Sequence, residues 1–174
     1  MNVSGRFVNK ESLEGWKREP LAGEVPALHI EFEFVVLRGD PERLPMWGMI
    51  DSGADSVVVP GRPVGLWLEA DGQTPHIVEG STASKLRLIR KRIKGIGGTT
   101  FGFSAPCFIK LGGVSLVGVR DVIICDGVEY PLIGRDVLKH FAGLFHPWQK
   151  RLTLSDCWYL CAPTRFATAC LGVK

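Results

Sequence analysis

Asp51 closes an apolar run, Met46 to Ile50, and is followed by Ser52, Gly53, Ala54 and Asp55. A carboxylate at the end of a buried strand is costly unless hydrogen bonds surround it. The small residues after Asp51 leave backbone N–H groups accessible and let a second backbone come close. Such a carboxyl group can serve as a general acid or base. The string also suits an ordinary aspartate at a strand-to-turn junction, and turn statistics alone favour that reading.

Two further segments carry signals of the same modest strength. Ile93-Lys94-Gly95-Ile96-Gly97-Gly98-Thr99 sets three glycines around one apolar residue. Between strands, that composition suits a hairpin tip, whether a plain turn or a lid. It is a poor phosphate loop: Gly98 is followed by Thr99 and Thr100 instead of Lys and Ser/Thr, and no glycine stands at 100 to complete a dinucleotide motif. Tyr130 to Leu138 is an apolar strand that ends in Gly134-Arg135-Asp136 and turns into a short helix. Alone it is a strand-to-helix junction with a surface arginine.

Other chemistries find less support. Cys157, Cys161, Cys170 and His146 offer a permissible zinc spacing but lack a second ligand pair, so free thiols are the better reading. Gly113-Val114-Ser115-Leu116-Val117 begins like a nucleophile elbow but has no closing glycine. There is no His-Glu-x-x-His. Neither metal nor cofactor is expected. Lys85, Arg87, Arg90, Lys91, Arg92 and Lys94 crowd the approach to the glycine hairpin. They would suit acidic substrates or nucleic acid, but no aromatics interleave to stack bases, and a solvated hairpin face is the preferred reading.

The elements that must position these residues read as β-structure. Twenty-one glycines and eleven prolines punctuate short apolar segments, the rhythm of an all-β domain. Ile30, Phe32 and Phe34 alternate with Glu31 and Glu33 in a strand from His29 to Leu37. Met46–Ile50 runs into Asp51, and the β-branched Val57, Val58 and Val59 stop at Pro60. Later strands are expected at Cys107–Leu111, Val114–Val119, Val122–Cys125 and Arg151–Leu154. One helix is expected, with Asp136 in its first turn, Val137, Leu138 and Phe141 on one face, and Gly143 ending it. Residues 1–28 and 156–174 read as extensions of a domain spanning 29–155. The 174 residues are 45% hydrophobic and 22% charged, as in soluble globular chains. No run is long enough to cross a bilayer, the N-terminus lacks a signal-type stretch, and five cysteines without framework spacing fit a reducing compartment. A cytoplasmic protein is expected, and neither a membrane nor nucleic acid is an expected partner; the formal charge of +3 is too small to argue for the latter.

Together the three segments resemble the retropepsin-like (retroviral-type) aspartic protease family, from about His29 to Leu154. The resemblance implies a closed, all-β half-barrel of the acid-protease type, with one short α-helix after Leu132-Ile133-Gly134-Arg135-Asp136. It implies that Asp51 is catalytic, that the Ser52 hydroxyl bonds across a two-fold axis, and that the Gly53 carbonyl receives substrate backbone. Ala54 completes that loop. Gly95, Ile96, Gly97 and Gly98 would form the flap over an extended peptide or protein substrate, and Asp55 and Arg135 an ion pair behind the site. The sequence departs from the pattern between Pro60 and Ser84, near His146 where relatives often carry an acid, and in its long ends. Ala54 also stands where two-motif relatives usually carry Thr or Ser, which implies an optimum in the weakly acidic range.

Peptide hydrolysis by this route needs both a base to activate water and an acid to protonate the leaving group. Two carboxylates about 3 Å apart cannot both ionise and share one proton, a general property of this protease class. Only one Asp-Ser-Gly-Ala occurs here; Asp71-Gly72 and Asp126-Gly127 lack the intervening hydroxyl residue. The expected function is therefore an aspartic endopeptidase whose dyad comes from Asp51 of two subunits, most simply a C2 homodimer. The alternatives are a non-catalytic peptide-binding or dimerisation module of the same fold and, more weakly, a basic RNA-associated protein.

Overall fold

Alternation of apolar and charged side chains makes the central strand of the protein. Leu28, Ile30, Phe32 and Phe34 are fully buried, while His29 faces solvent and Glu31 and Glu33 are partly covered. The computed structural model describes residues 2–9, 24–95, 98–111, 114–115, 120–139, 141–146 and 151–156. Their strands are β1 (Asn2–Asn9), β2 (Glu24–Phe34), β3 (Glu42–Ile50), β4 (Val58–Pro60), β5 (Leu66–Leu68), β6 (Pro75–Ile77) and β7 (Ile89–Gly95). After these come β8 (Gly98–Leu111), β9 (Val114–Ser115), β10 (Arg120–Cys125), β11 (Leu132–Ile133), β12 (Phe141–His146) and β13 (Arg151–Asp156). Two one-turn helices, α1 (Gly61–Val64) and α2 (Arg135–Leu138), and a 3-10 turn at Ala83–Lys85 complete the list.

The main sheet closes on itself. β2 pairs antiparallel with β3 along one edge and with β8 along the other, while β11, β4 and β10 complete the ring between β3 and β8. Closure leaves no open edge within the ring itself, while β7, paired to β8, extends outside it. Inside lie the even residues of β2 from Leu28 to Phe34, Val57 and Val59, the odd residues of β8 from Phe103 to Leu111, Val122, Ile124 and Ile133. Burying each of these large side chains stabilises the fold by roughly 1.5–3 kcal/mol, so truncating fully buried Phe32 would be felt throughout the ring. Outside the ring, Lys110 Nζ reaches Glu31 (2.9 Å) and Glu33 (3.2 Å) across the β2–β8 seam. Those bonds raise the Lys110 ammonium's hold on its proton and lower the Glu31 carboxyl.

Beyond the ring the sheet continues from β2 through β1 and β13 to β12. Residue 29 thus falls inside β2, and residues 2–9 pair with both β13 and β2. The expected helix face through Phe141 is not present. α2 stops at Leu138, and Phe141 begins β12, where it pairs with Asp156 and packs on the core from the strand. Gly143, expected to end a helix, lies mid-strand opposite Leu154. Of the expected strand Val114–Val119, residues 114–115 form β9 and 116–119 lie outside the described residues.

The stretch from Pro60 to Ser84 leaves the barrel as α1 and a small two-stranded sheet of β5 and β6. At its end Asp71 accepts hydrogen bonds from Gln73 N–H (2.8 Å), Thr74 N–H (2.8 Å) and Thr74 Oγ1 (2.6 Å). His76 stacks on Trp67, ring centroids 4.3 Å apart, and its Nδ1 lies 3.0 Å from Glu69 Oε1.

Candidate active site

Asp51 is carried out of the barrel wall by β3 and held by neighbours distant in sequence. β11 lies between β3 and β4, parallel to β3 through Leu132–Met49 and Ile133–Ile50, and meets β4 at Leu132–Val58. Asp51 N–H donates to the Ile133 carbonyl (3.2 Å), and Met49 N–H to the Pro131 carbonyl (2.8 Å). The loop that follows turns through a bond from Ala54 N–H to the Asp51 carbonyl (3.2 Å). It is then pinned by α2: Arg135 N–H donates to Ala54 O (2.8 Å) and Asp136 N–H to Asp55 O (3.0 Å). Backbone bonds from two segments more than seventy residues away therefore set the loop's shape, which accounts for its tolerance of small side chains.

Three residues make that docking possible. Gly134 sits so close to the loop that an added Cβ would meet the Ser56 carbonyl oxygen at 2.4 Å, so only a residue without a side chain fits. Asp136 accepts Val57 N–H through Oδ2 (3.2 Å) and its neighbour Val137 N–H through Oδ1 (2.8 Å). It thereby ties the start of α2 to the approach of β4. Gly53 donates its N–H to Asp51 Oδ1 (2.8 Å), and a Cβ there would stand 3.1 Å from the same oxygen. The sequence gives Asp136 as a first-turn acid and as part of the Gly134-Arg135-Asp136 string, without this bonding role; the glycine immediately before Arg135 is the signal that two backbones meet there.

Asp51 is half-buried, Ser52 and Gly53 are exposed, Ala54 is half-buried and Asp55 is exposed. Arg135 Nη2 donates to Asp55 Oδ1 within the chain, with side chains 62% and 82% exposed. Such a pair behind the site is expected to be buried or half-buried. In this chain it faces solvent, where such a pair contributes about 0–1 kcal/mol.

The glycine-rich segment is the turn between β7 and β8, whose pairing runs from Ile89–Ser104 to Gly95–Gly98. Gly98 has φ +114°, a conformation that L side chains rarely adopt. Ile93 lies across Gly102, with its Cδ1 2.4 Å from where a Cβ would be, so the hairpin is packed on itself below the tip. Ile96 and Gly97 lie outside the described residues, as do the side chain of His146 and Cys157, Cys161 and Cys170. Cys107 and Cys125 are buried free thiols. Burial pushes the Cys107 thiol up to about 12 and raises that of Cys125, so neither offers a thiolate nucleophile near neutral pH. Among the described residues, no three His, Cys, Asp or Glu side chains gather as metal ligands would, and no helix is long and apolar enough to cross a membrane.

No family model and no curated protein matches the chain. Among solved structures it is similar to EIAV protease complexed with the inhibitor HBY-793, with 19% identity and a TM-score of 0.40, over 71% of this chain and 92% of that one.

Proposed function

We propose that the chain is one half of an aspartic endopeptidase, active when two copies bring their Asp51 carboxylates together. What supports this reading is the state of Asp51 itself. It is a half-buried carboxylate on a loop fixed by distant backbone, and among the described residues its side chain accepts one hydrogen bond, from Gly53 N–H. The remaining lone pairs are available to water, a shared proton or a second carboxylate.

In the paired site, one carboxylate takes a proton from water as it attacks the peptide carbonyl, and the other gives its proton to the departing amine. The Gly53 N–H stabilises the charged form of whichever carboxylate it contacts. Exposed Ser52 and Gly53 present the loop to the partner and to an extended substrate backbone. The β7–β8 hairpin closes over that backbone, with Gly95, Ile96, Gly97 and Gly98 as its tip.

The test pairs activity with assembly. Hydrolysis of a peptide library at mildly acidic pH is measured for wild type and Asp51→Asn, with sedimentation of both. Cleavage by wild-type dimer and none by the variant supports the reading. Cleavage by monomer, or a variant within tenfold of wild type, sinks it. Binding of peptides without cleavage by either protein points to the non-catalytic module.

A further inference from the structure

The proposed chemistry gives no role to the cationic side chains of residues 87–94, which lie on β7 and just ahead of it. Arg87, Arg90, Lys91, Arg92 and Lys94 are all exposed. Taking these five cations from the formal charge of +3 leaves the rest of the chain at −2, so this short segment carries the protein's whole positive excess. Part of it is answered locally. Lys91 Nζ lies 3.9 Å from Asp121, the Arg90 guanidinium sits 3.9 Å over the Phe101 ring, and the Arg90 charge is felt at Asp71. Among the described residues, Arg87, Arg92 and Lys94 form no salt bridge.

Geometry orders these charges. Among the described residues β7 pairs only with β8 and ends the sheet, so its other edge has no strand partner there. Arg90, Arg92 and Lys94 occupy alternate positions and share one face, at a repeat of about 6.6 Å. An extended peptide with carboxylates on alternate residues has the same repeat. We propose that the β7 edge binds such acidic peptides, and that substrates of the Asp51 site carry their acidic residues in the segment that meets it. The second half rests on the endopeptidase reading.

Two competing roles make different demands. Charged edges also serve to repel unwanted strands, but a repelling edge has no preference for where a peptide's charges sit. Single-stranded nucleic acid needs aromatic platforms as well as charge. β7 has no aromatic residue, and the nearby Phe101 ring is covered by Arg90.

The experiment uses the full chain carrying Asp51→Asn, so that bound peptide stays intact. Anisotropy is read for short labelled peptides with Glu at alternate positions, with Gln at those positions, and with the same glutamates in one block. A labelled oligouridylate is the fourth probe. The alternating-Glu peptide is expected to bind about tenfold tighter than its Gln counterpart at low salt, and tighter than the block peptide. The advantage should vanish near ~1 M salt. Arg92→Gln/Lys94→Gln should lose it, while Arg62→Gln on α1 should keep it. Equal binding of the Glu and Gln peptides, equal binding of alternating and block peptides, or a preference that survives the double variant overturns the proposal. So does binding of the oligouridylate without the acidic peptide. Cleavage of the same peptides by wild type is scored separately. Preference without cleavage sinks the endopeptidase reading and the substrate half while supporting the edge site; cleavage without preference sinks only the inference.

Discussion

Asp51 and Asp71 both stand at turns followed by small or polar residues, and each bonds the N–H two residues on, yet the structure treats their carboxylates in opposite ways. Asp71 accepts from the Thr74 hydroxyl and two backbone donors, and its carboxyl is lowered to about 2. Asp51 has one donor, Gly53 N–H, among the described residues. Asp71 uses its side chain to make its own turn. The loop of Asp51 is shaped mainly by backbone from β11 and α2, which leaves the side chain, among the described residues, with the Gly53 N–H alone. A turn that does not need its aspartate can lend it to chemistry.

The largest expected effect exploits that division. Asp51→Asn should lower kcat/KM by about 10³-fold or more, the scale of losing a proton-transfer group, and leave the melting curve nearly unchanged. Asp71→Asn should do the reverse, keeping activity while weakening its turn. Two variants with matching activity losses would erase the contrast.

Gly134→Ala attacks the scaffold that frees Asp51. Gly134 has φ −83°, a backbone that alanine adopts without strain, so any cost is steric. With Ser56 backbone 2.4 Å from the new Cβ, overpacking should cost about 1–3 kcal/mol in urea unfolding and lower activity through loop displacement. Wild-type stability would mean that α2 and the loop are not locked as described.

The legibility of these regions in the sequence follows from their range of interaction. β2 announces itself through alternation and β4 through β-branching because each buries residues in the core, whereas of β3 only the apolar run Met46–Ile50 is legible. The place of Asp51 at the end of β3 is legible in the apolar run before it. The small sheet of β5 and β6 is not, because each strand has three residues, too few to show a period, and those of β6 are all exposed. Phe141 was misplaced because it follows Val137 by four residues, a spacing that helix and strand both permit when only three apolar positions are present. Its strand is decided by pairing with Asp156, which no local pattern encodes. The surface setting of Asp55 and Arg135 is likewise a property of the assembled chain.

Ala54→Ser would make Asp51 resemble Asp71 by supplying a hydroxyl donor beside the loop. A donor to the ionised form favours it, so the pH–rate bell should move to lower pH. The measurement is kcat/KM against pH for both proteins, with stability checked in parallel. An unchanged or upward-moving profile would show that donor number is not what separates the two aspartates.

Thr74→Val makes the converse change and should have the smallest effect. The Thr74 hydroxyl is the foremost cause of the lowered Asp71 carboxyl, ahead of the two backbone donors. Valine keeps the β-branched shape and the backbone bond but removes the hydroxyl, so Asp71 should rise from about 2 part of the way towards 3.8. The sign for stability follows from linkage. A carboxyl held below its unfolded value adds stability above that value and loses it as pH falls through the folded one. In wild type this contribution fades between about pH 4 and 2; in the variant it is smaller and fades over a narrower window. Because the group is fully exposed, the effect belongs to the β5–β6 turn and not to the barrel. Carboxyl-carbon NMR titration of Asp71 reads the change directly. A titration unchanged by Thr74→Val would mean that backbone donors alone hold Asp71, and the count of donors around each aspartate would then explain nothing about their division of roles.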